Sequence, residues 1–201
     1  MRIISGLAGG VRLTAPPGKD VRPTNDRVKE SLFASLGDIQ GWTVVDLFAG
    51  SGALGLEALS RGAKQVTFLD TNSRSLASVR QNLTAVQRAA PDLPGKAMMT
   101  RAAAETAPRR LRELAGAVDL LLADPPYRPA PHEYGAVKLL QDKALAQWAA
   151  GAILVLEHAI ETPLLWHPRS NWKLLRKRTF GSRCLSFARQ TAEQGTQSGA
   201  P

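Results

Sequence analysis

Cysteine, aromatic residues and long apolar runs are scarce in this chain. Of its 201 residues, one is cysteine (Cys184) and 5% are aromatic. A single thiol excludes an intramolecular disulfide, a cysteine-based zinc cluster and a C-x-x-C redox pair, and we expect no metal site. No apolar run approaches the roughly 20 residues of a membrane span, and residues 1–10 lack the apolar core of a signal peptide. We therefore expect one soluble domain in a reducing cytoplasm, with no membrane partner.

Acidic residues are also few, and their distribution is uneven. There are 17 Asp and Glu against 26 Lys and Arg, which gives a net charge of +9. Residues 1–30 hold 6 basic and 3 acidic side chains, residues 162–201 hold 7 and 1, and residues 31–161 are neutral overall. Basic ends of this kind attract the phosphates of nucleic acid. Solvated lysines and arginines that only keep the protein in solution are the alternative, and charge alone leaves both open.

Strand and helix patterns alternate along the middle of the chain. The pattern predicts strands at 43–48, 65–70, 96–100, 119–123 and 152–156, and helices at 53–61, 72–89, 103–115 and 134–149. Two further strands, near 172–180 and 183–189, are separated only by Gly181-Ser182, which predicts an antiparallel hairpin. This order predicts a doubly wound α/β domain, a mostly parallel sheet with helices on both faces.

The ends of the chain differ from this domain. Residues 2–14 predict two short strands joined through the Gly6–Gly10 turn, and Thr24 can cap a helix over 25–36. We expect residues 1–37 to form an N-terminal β-hairpin and helix extension, followed by the main domain at 38–189. Residues 190–201 contain no large apolar side chain and predict a disordered tail.

A glycine-rich loop follows the first predicted strand. Gly50, Gly52 and Gly55 match G-x-G-x-x-G between that strand and the next helix. Asp70 ends the second strand, 20 residues after Gly50, where a carboxylate can accept hydrogen bonds from both hydroxyls of a ribose. The pattern predicts a ligand that contains a nucleoside, but a nicotinamide dehydrogenase would show the same residues.

Asp46, four residues before Gly50, favours one kind of ligand. A carboxylate there would repel a pyrophosphate and attract the ammonium group of an amino-acid moiety. S-adenosylmethionine carries adenosine and a methionine ammonium but no phosphate. The D-x-F-A-G-x-G pattern therefore resembles the cofactor loop of S-adenosylmethionine-dependent methyltransferases. Asp46 as a cap of the following turn is the alternative, and the two roles can coexist.

The fourth predicted strand leads directly into Asp124-Pro125-Pro126-Tyr127. Consecutive prolines stiffen the loop and remove two backbone donors, which leaves the Asp124 carboxylate and the Pro125 carbonyl as acceptors for an exocyclic amine. Tyr127 can stack on a base that has left its helix, a contact of about 1–3 kcal/mol. A proline-rich turn with a surface tyrosine is the alternative. Amine methylation needs no enzyme nucleophile, so Cys184 is interpreted as a packed residue.

Together these stretches resemble the RsmD family, the bacterial 16S ribosomal RNA guanine-N2 methyltransferases. The resemblance is carried by RIISGLAGGVRL (2–13), RPTNDRVKESLF (22–33), DLFAGSGALGLEALSRGA (46–63) and DPPY (124–127). It implies a Rossmann-like methyltransferase fold with a seven-stranded sheet, S-adenosylmethionine as cofactor, and methylation of one guanine N2 amine near the P site. It also implies 16S ribosomal RNA as partner, within a small-subunit particle or assembly intermediate, and we expect a monomer.

The resemblance also implies roles for single residues. The implied cofactor contacts are Asp46, Ala49, Gly50, Ser51, Gly52, Asp70, Thr24 and Arg27, and the implied amine-binding loop is Asp124, Pro125, Pro126 and Tyr127. Arg22, Thr24 and Arg27 match R-P-T-x-D-R and are expected beside the methionine end of the cofactor or the RNA; a helix cap and two solvated arginines are the alternative. The basic residues expected to bind RNA are Arg2, Arg12, Arg22, Lys173 and Lys177. Alternation along 172–180 predicts that Lys173 and Lys177 share a face.

One position departs from the family pattern. Where such enzymes often carry an acidic or amide residue for the adenine amine, this chain has Arg101, Ala102 and Ala103. The adenine contact is therefore unassigned.

Three other functions compete with this interpretation. A DNA methyltransferase acting on adenine or cytosine amines can share D-P-P-Y, but it usually needs a target-recognition domain for which 201 residues leave no room. Asp46 and D-P-P-Y argue against a nucleotide-dependent oxidoreductase. The intact loops argue against a non-catalytic RNA-binding module.

Overall fold

The computed structural model describes residues 1–16 and 26–190. The strands are β1 (Thr43–Asp46), β2 (Gln65–Asp70), β3 (Lys96–Arg101), β4 (Leu120–Ala123), β5 (Ile153–Ala159), β6 (Trp172–Phe180) and β7 (Arg183–Gln190). The helices are α1 (Asp26–Leu36), α2 (Ala53–Ser60), α3 (Ser73–Ala89), α4 (Ala107–Arg110), α5 (Ala136–Gln141) and α6 (Lys143–Trp148). No helix in these two ranges is long and apolar enough to cross a membrane.

The seven strands form one sheet in the order β3-β2-β1-β4-β5-β7-β6. Strands β1 to β5 are parallel, and β7 runs antiparallel between β5 and β6. The predicted doubly wound α/β fold, with its antiparallel hairpin at the end, is confirmed. The strand order reverses between β1 and β4, which opens a crevice at the carboxyl ends of these two strands.

The side chains of each strand alternate between two apolar layers. Helices α1, α2 and α3 pack on the face that carries Val44 and Leu122, and Ile3 and Leu13 of the N-terminal segment join that layer. Helices α4, α5 and α6 pack on the opposite face, which carries Leu121. Because both faces are covered, β1 and β4 are buried at every position, and β4 is apolar throughout.

The N-terminal segment is not the pair of strands that the sequence predicts. A single antiparallel bridge joins Arg2 to Arg12, and the turn between them carries glycines with positive φ at Gly6 and Gly10. A side chain at Gly6 would overlap the backbone oxygen of Ser60 at 2.0 Å. The segment therefore lies against α2 as a short hairpin, whose arms are joined by hydrogen bonds such as that from the Ile3 amide to the Val11 carbonyl at 2.8 Å.

Two predicted helices are broken in the structure. The helix predicted at 134–149 divides into α5 and α6 because Asp142 leaves the helical region and its carboxylate accepts from the Leu145 amide at 2.9 Å. The helix predicted at 103–115 contains only α4, with 3-10 turns on either side of it, and Leu111 interrupts it with φ −123°. Local caps therefore override the continuous pattern.

Strand β6 lies at the edge of the sheet and contains a bulge. Its register with β7 shifts between Leu174 and Arg176, which inserts Leu175 as an extra residue. An inserted residue reverses the alternation of the side chains that follow it. Lys173 and Lys177 therefore lie on opposite faces, and the prediction that they share a face is wrong.

Candidate active site

Four carboxylates meet at the carboxyl edge of the parallel strands. Asp46 and Asp70 end β1 and β2, and Asp124 follows β4 directly. Glu157 lies on β5, next to Leu156, which pairs with the last residue of β4. The register therefore places Glu157 beside Asp124. Among residues 1–16 and 26–190, no group of three or more histidine, cysteine or acidic side chains is arranged to hold a metal ion.

The glycine loop is held by Asp70. Its Oδ2 accepts from the Gly50 amide at 2.9 Å, and its Oδ1 accepts from the Asn72 amide at 2.8 Å. Gly50 and Gly52 have φ of 53° and 78°, a left-handed backbone that favours glycine. Gly52 is also the residue that precedes α2. Asp70 thus fixes the loop, and a ribose contact of its carboxylate stays a prediction.

The remaining residues of the loop are well packed. Ala49 and Ser51 are buried, and the Ala49 amide donates to the carbonyl of Leu69 at 2.9 Å. The Ser51 hydroxyl donates to the sulfur of Met1 at 3.4 Å. The loop that follows β1 is therefore a preformed structure that rests on both β2 and the N-terminal segment.

Asp46 is buried, with 1% of its surface exposed. Its Oδ2 accepts from the amide of Gly55 in the first turn of α2 at 3.2 Å, so the alternative that Asp46 caps this turn is confirmed. Burial raises the pKa of Asp46 to about 7, while the hydrogen bonds from Gly55 and Phe48 oppose the rise. A carboxylate desolvated in this way favours a nearby cation.

Gly55 has a packing role that gives the first testable prediction. A Cβ at this position would lie 2.3 Å from the Phe68 ring, because α2 packs directly on β2. Helix propensity alone predicts that Gly55→Ala stabilises the protein by about 1 kcal/mol. We expect the opposite sign, a loss of about 1–3 kcal/mol in the free energy of unfolding, because an overpacked core must shift.

Urea denaturation of Gly55→Ala measures this loss. Gln87→Ala, at an exposed position of α3, is the matched control and should stay within about 0.5 kcal/mol of wild type. A Gly55→Ala protein as stable as wild type would show that α2 can move away from Phe68 at no cost.

The loop Asp124–Tyr127 lies beside a network that the sequence analysis did not predict. The Tyr127 hydroxyl donates to Glu157 Oε1, and Arg183 Nη1 donates to the same oxygen at 3.2 Å. The Arg183 guanidinium also lies over the Tyr127 ring, 5.6 Å from its centre. These contacts fix the ring of Tyr127 against the end of β5.

The surroundings of this network raise the pKa of two groups, the Asp124 carboxyl and the Tyr127 hydroxyl. Burial and the neighbouring Glu157 carboxylate raise the pKa of Asp124 well above its ordinary value, and Arg183 opposes the rise. Burial and the nearby carboxylates of Asp124 and Glu157 also raise the pKa of Tyr127, so its hydroxyl remains a donor. A carboxylate with a raised pKa at a strand end is a candidate proton acceptor near neutral pH.

A cavity of about 240 Å³ opens next to this loop. Pro125, Pro126, Tyr127 and Glu157 lie on one side of it, and residues 129–138, together with 158, 159 and 162, form the rest of its wall. Its volume is about eight times the roughly 30 Å³ of one water molecule. The wall consists mostly of proline, alanine and other apolar groups, which suits a flat, weakly hydrated ligand.

The N-terminal segment is attached to α2 by a buried acid. Glu57 Oε2 accepts from the Ile4 amide at 2.7 Å, and Glu57 Oε1 accepts from the Ser5 amide at 3.1 Å. Lys29 is fully buried, donates to the carbonyl of Arg2 and lies 3.6 Å from Glu57 Oε2. The first residues of the chain are therefore fixed by side chains of α1 and α2.

Asn82 of α3 joins the same segment to the glycine loop. Its Nδ2 donates to the carbonyls of Thr14 and Ser51, both at 2.9 Å, and its Oδ1 accepts from the Thr14 amide at 2.8 Å. Its neighbours on that face of α3 are Val79 and Val86, so an amide within an apolar stripe was the signal that could have identified it.

The residues expected to bind RNA are on the surface where they are described. Arg2 forms an ion pair with Asp26 at 3.3 Å and keeps most of its side chain exposed. Arg12, Arg27, Lys173 and Lys177 are exposed as well. Arg22, Thr24 and the tail beyond residue 190 lie outside the described residues.

The residues at the end of β3 contact the residues at the end of β2. Arg101 Nε donates to the carbonyl of Thr71 at 3.1 Å, and the Ala102 amide donates to the carbonyl of Asp70 at 3.2 Å. Backbone groups and one guanidinium therefore surround the position that follows Asp70.

Comparison with known proteins gives consistent results. The model of the family described as conserved hypothetical protein 95 matches residues 1–189. The ribosomal RNA small subunit methyltransferase D of Escherichia coli K12 is 33% identical over 183 residues, which are 90% of this chain and 85% of that protein. The solved structure of yhhF from Escherichia coli is 29% identical, with a TM-score of 0.69 and coverage of 96% and 99%. The rRNA methyltransferase aviRa from Streptomyces viridochromogenes shares the fold, with a TM-score of 0.65, 23% identity and 91% coverage of each chain.

Proposed function

The chain belongs to the family described as conserved hypothetical protein 95, and a ribosomal RNA small subunit methyltransferase D is its relative. From this membership and from the site, we propose that the protein methylates the exocyclic N2 amine of a guanine in 16S ribosomal RNA. We propose S-adenosylmethionine as the methyl donor and a small-subunit particle or assembly intermediate as the substrate. In this proposal the protein acts as a monomer, and residues 1–37 extend the methyltransferase domain toward the cofactor and the RNA.

One observation carries this proposal: the Asp124-Pro-Pro-Tyr127 loop and the glycine loop lie on adjacent strands at the point where the strand order reverses. Asp46 on β1 pairs in register with Leu122, two residues before Asp124 on β4. A ligand on the glycine loop would thus lie beside the acceptors of the second loop. This is the geometry that transfer between two bound molecules requires.

The residues present fit S-adenosylmethionine. Asp46 is a buried carboxylate with a raised pKa, and a ligand ammonium would stabilise its charged form. Asp70 has one hydrogen bond to each oxygen, so each oxygen keeps a lone pair for a ribose hydroxyl. Residues 49–52 supply a compact turn that lets a ligand approach the backbone. When bound, the cofactor would supply an electrophilic methyl group.

The protein's part in the reaction is to orient the amine and to receive a proton. In the proposed complex the Asp124 carboxylate and the Pro125 carbonyl each accept one N–H of the guanine amine, which directs its nitrogen toward the methyl group. The amine nitrogen would form its new bond to the methyl carbon as the bond from that carbon to the cofactor sulfur breaks, with the electron pair going to the sulfur of the departing thioether, and the nitrogen would lose one proton to Asp124. The raised pKa of Asp124 makes it a better acceptor than an ordinary carboxylate.

Tyr127 supports the flipped base in this proposal. Its hydroxyl bond to Glu157 and the guanidinium of Arg183 hold the ring in one orientation, so little side-chain entropy is lost when a base stacks on it. The exposed basic residues at both ends would contact phosphates of the RNA. The proposed phosphate contacts among the described residues are Arg2, Arg12 and one of Lys173 and Lys177, since these two lysines lie on opposite faces of β6.

Methyl transfer from tritiated S-adenosylmethionine tests the proposal. The substrates are 16S RNA and small-subunit particles from a strain that lacks the gene, and nucleoside analysis identifies the product. N2-methylguanosine is the expected product, and a preference for particles over free RNA is expected. N6-methyladenosine or N4-methylcytidine, or transfer to DNA, would instead support the alternative of another amine methyltransferase.

The pKa of Asp46 gives a second prediction. A ligand ammonium stabilises the carboxylate, so the pKa of Asp46 is lower in the complex than about 7 in the free protein. Binding then releases a proton at acidic pH. The dissociation constant for S-adenosylmethionine should therefore rise by up to about tenfold for each pH unit below 7 and level off just above it.

Calorimetric titration between about pH 5.5 and 7.5 measures this dependence. Asp46→Asn should bind weakly with little dependence on pH, and Asp38→Asn, at an exposed turn, should behave as wild type. A wild-type affinity that does not change over this range would remove Asp46 from the ammonium site.

A further inference from the structure

We propose that Glu157 selects guanine over other bases by accepting a hydrogen bond from its N1–H, an inference that rests on the proposed guanine-N2 methylation. Glu157 is 2% exposed and lies on the wall of the 240 Å³ cavity beside Pro125, Pro126 and Tyr127. It would be a specificity-determining residue, since it acts on a part of the base that does not react.

The two oxygens of Glu157 have different environments. Oε1 accepts from both Tyr127 and Arg183. Oε2 is buried, and within the described part of the chain it has no hydrogen-bond partner. An unpaired buried carboxylate oxygen is costly, and native structures leave few of them. In this proposal a donor that enters from the cavity pairs with Oε2 and completes the arrangement.

Two other side chains on the cavity wall already have hydrogen-bond partners. His158 contacts Ser186 Oγ at 2.9 Å through Nε2 and the carbonyl of Ala159 at 2.7 Å through Nδ1. Glu133 is exposed, and its Oε2 accepts from the Ala130 amide at 2.7 Å. Glu157 Oε2, by contrast, is buried without a partner among the described residues.

The position of Glu157 Oε2 matches the edge of guanine that carries N1–H and the N2 amine. Glu157 and Asp124 follow paired residues on adjacent strands, so two neighbouring carboxylates lie at this edge of the sheet, beside the cavity that Glu157 lines. Guanine offers adjacent donors, the N2 amine and N1–H, whereas adenine and cytosine place an acceptor next to their amine. A second acceptor beside the one that orients the amine thus pairs with guanine and opposes the other two bases.

The geometry also defines what a glutamine would do at this position. Arg183 can only donate, so the amide of Glu157→Gln keeps its oxygen toward Arg183 and Tyr127. Its NH₂ group then occupies the place of Oε2 and presents a donor to the cavity. The variant should oppose the N1–H of guanine and pair with a base whose N1 is an acceptor.

The test compares guanine with 2-aminopurine, which keeps the N2 amine but has an unprotonated N1. Nucleoside analysis of the wild-type product first locates the methylated guanine, and each base is then placed at that position in RNA assembled into particles. Wild type should prefer guanine by about 10- to 100-fold in kcat/KM, as expected for loss of a charged hydrogen bond. Glu157→Gln should bring this ratio close to one or reverse it.

The matched control is Glu133→Gln, on the same cavity wall, which should keep the wild-type ratio. If Glu157→Gln fails to fold, Glu157→Asp provides the second variant, because its shorter carboxylate withdraws from the base and should also lower the ratio. The inference is overturned if wild type accepts both bases equally, or if a folded variant keeps the wild-type ratio. A wild-type product other than N2-methylguanosine overturns the proposed function itself, and the first step detects it.

Discussion

Replacing Asp124 with alanine should reduce methyl transfer by about 10²- to 10⁴-fold and leave the affinity for S-adenosylmethionine nearly unchanged. The expected loss is that of a positioned proton acceptor. Asp124 follows β4, whereas the proposed cofactor contacts that are described lie mainly on β1, on β2 and in the loop after β1. Its loss should therefore appear in kcat and not in cofactor binding.

Single-turnover methyl transfer and calorimetric titration of the cofactor, made on the same preparation, separate these effects. Asp92→Ala, at an exposed position before β3, is the control and should behave as wild type. Transfer by Asp124→Ala within a factor of a few of wild type would exclude Asp124 as the proton acceptor. A large loss of cofactor affinity would instead show that the loop helps to hold the cofactor.

The pH dependence of kcat for the wild-type protein should reflect the raised pKa of Asp124. Only the ionised carboxylate can accept the amine proton, and burial with Glu157 raises its pKa. At saturating cofactor, kcat should therefore fall with decreasing pH well above the ordinary range of an aspartate near 4. Removing the Arg183 charge should move this acid limb to still higher pH, because Arg183 opposes the rise.

The sequence predicts a site residue most reliably when its position depends only on where one strand ends. Asp46, Asp70 and Asp124 each follow an apolar run, and parallel strands bring their carboxyl ends to one edge. Their convergence therefore needs no knowledge of packing. The fold class follows from the same alternation of strands and helices.

The contact between Glu157 and Arg183 cannot be predicted from strand ends alone. Their ion pair depends on the register of β7 against β5, which brings together residues 26 positions apart. Nothing in either segment specifies that register. The bulge at Leu175 likewise depends on the pairing of β6 with β7. Because the sequence does not show this bulge, the prediction that Lys173 and Lys177 share a face was wrong. An acid at the end of β5, as at β1, β2 and β4, was the available signal for Glu157.

The N-terminal segment shows a second limit. Its glycines suggest a hairpin, and its two arms do pair, but other hydrogen bonds go to Glu57 and Ser60 of α2, more than fifty residues away. A glutamate within the otherwise apolar ALGLEALS was the sign that α2 holds a buried polar contact. A lysine on the apolar face of α1 was the sign of its partner.

The Lys29–Glu57 pair gives the second large expected effect. Both side chains are fully buried, and Nζ lies 3.6 Å from Oε2. Burial lowers the pKa of Lys29, and the nearby carboxylates of Glu57 and Asp26 oppose this. Lys29→Met keeps the length of the side chain but leaves Glu57 with only Arg61 and two amides. We expect a loss of about 3–5 kcal/mol in the free energy of unfolding, as is typical when one partner of a buried ion pair is removed.

Urea denaturation measures the loss, with Lys64→Met, an exposed lysine after α2, as the control that should stay near wild type. Amide hydrogen exchange shows which part of the chain loses stability. Because Glu57 accepts the amides of Ile4 and Ser5, these amides should exchange much faster in Lys29→Met, while those of β1 and β4 follow the global stability. A variant with wild-type stability and protected amides would show that Arg61 and the two amides suffice to hold Glu57. The expected result would instead make Lys29 the residue that fixes Arg2 and its neighbours beside the proposed RNA surface.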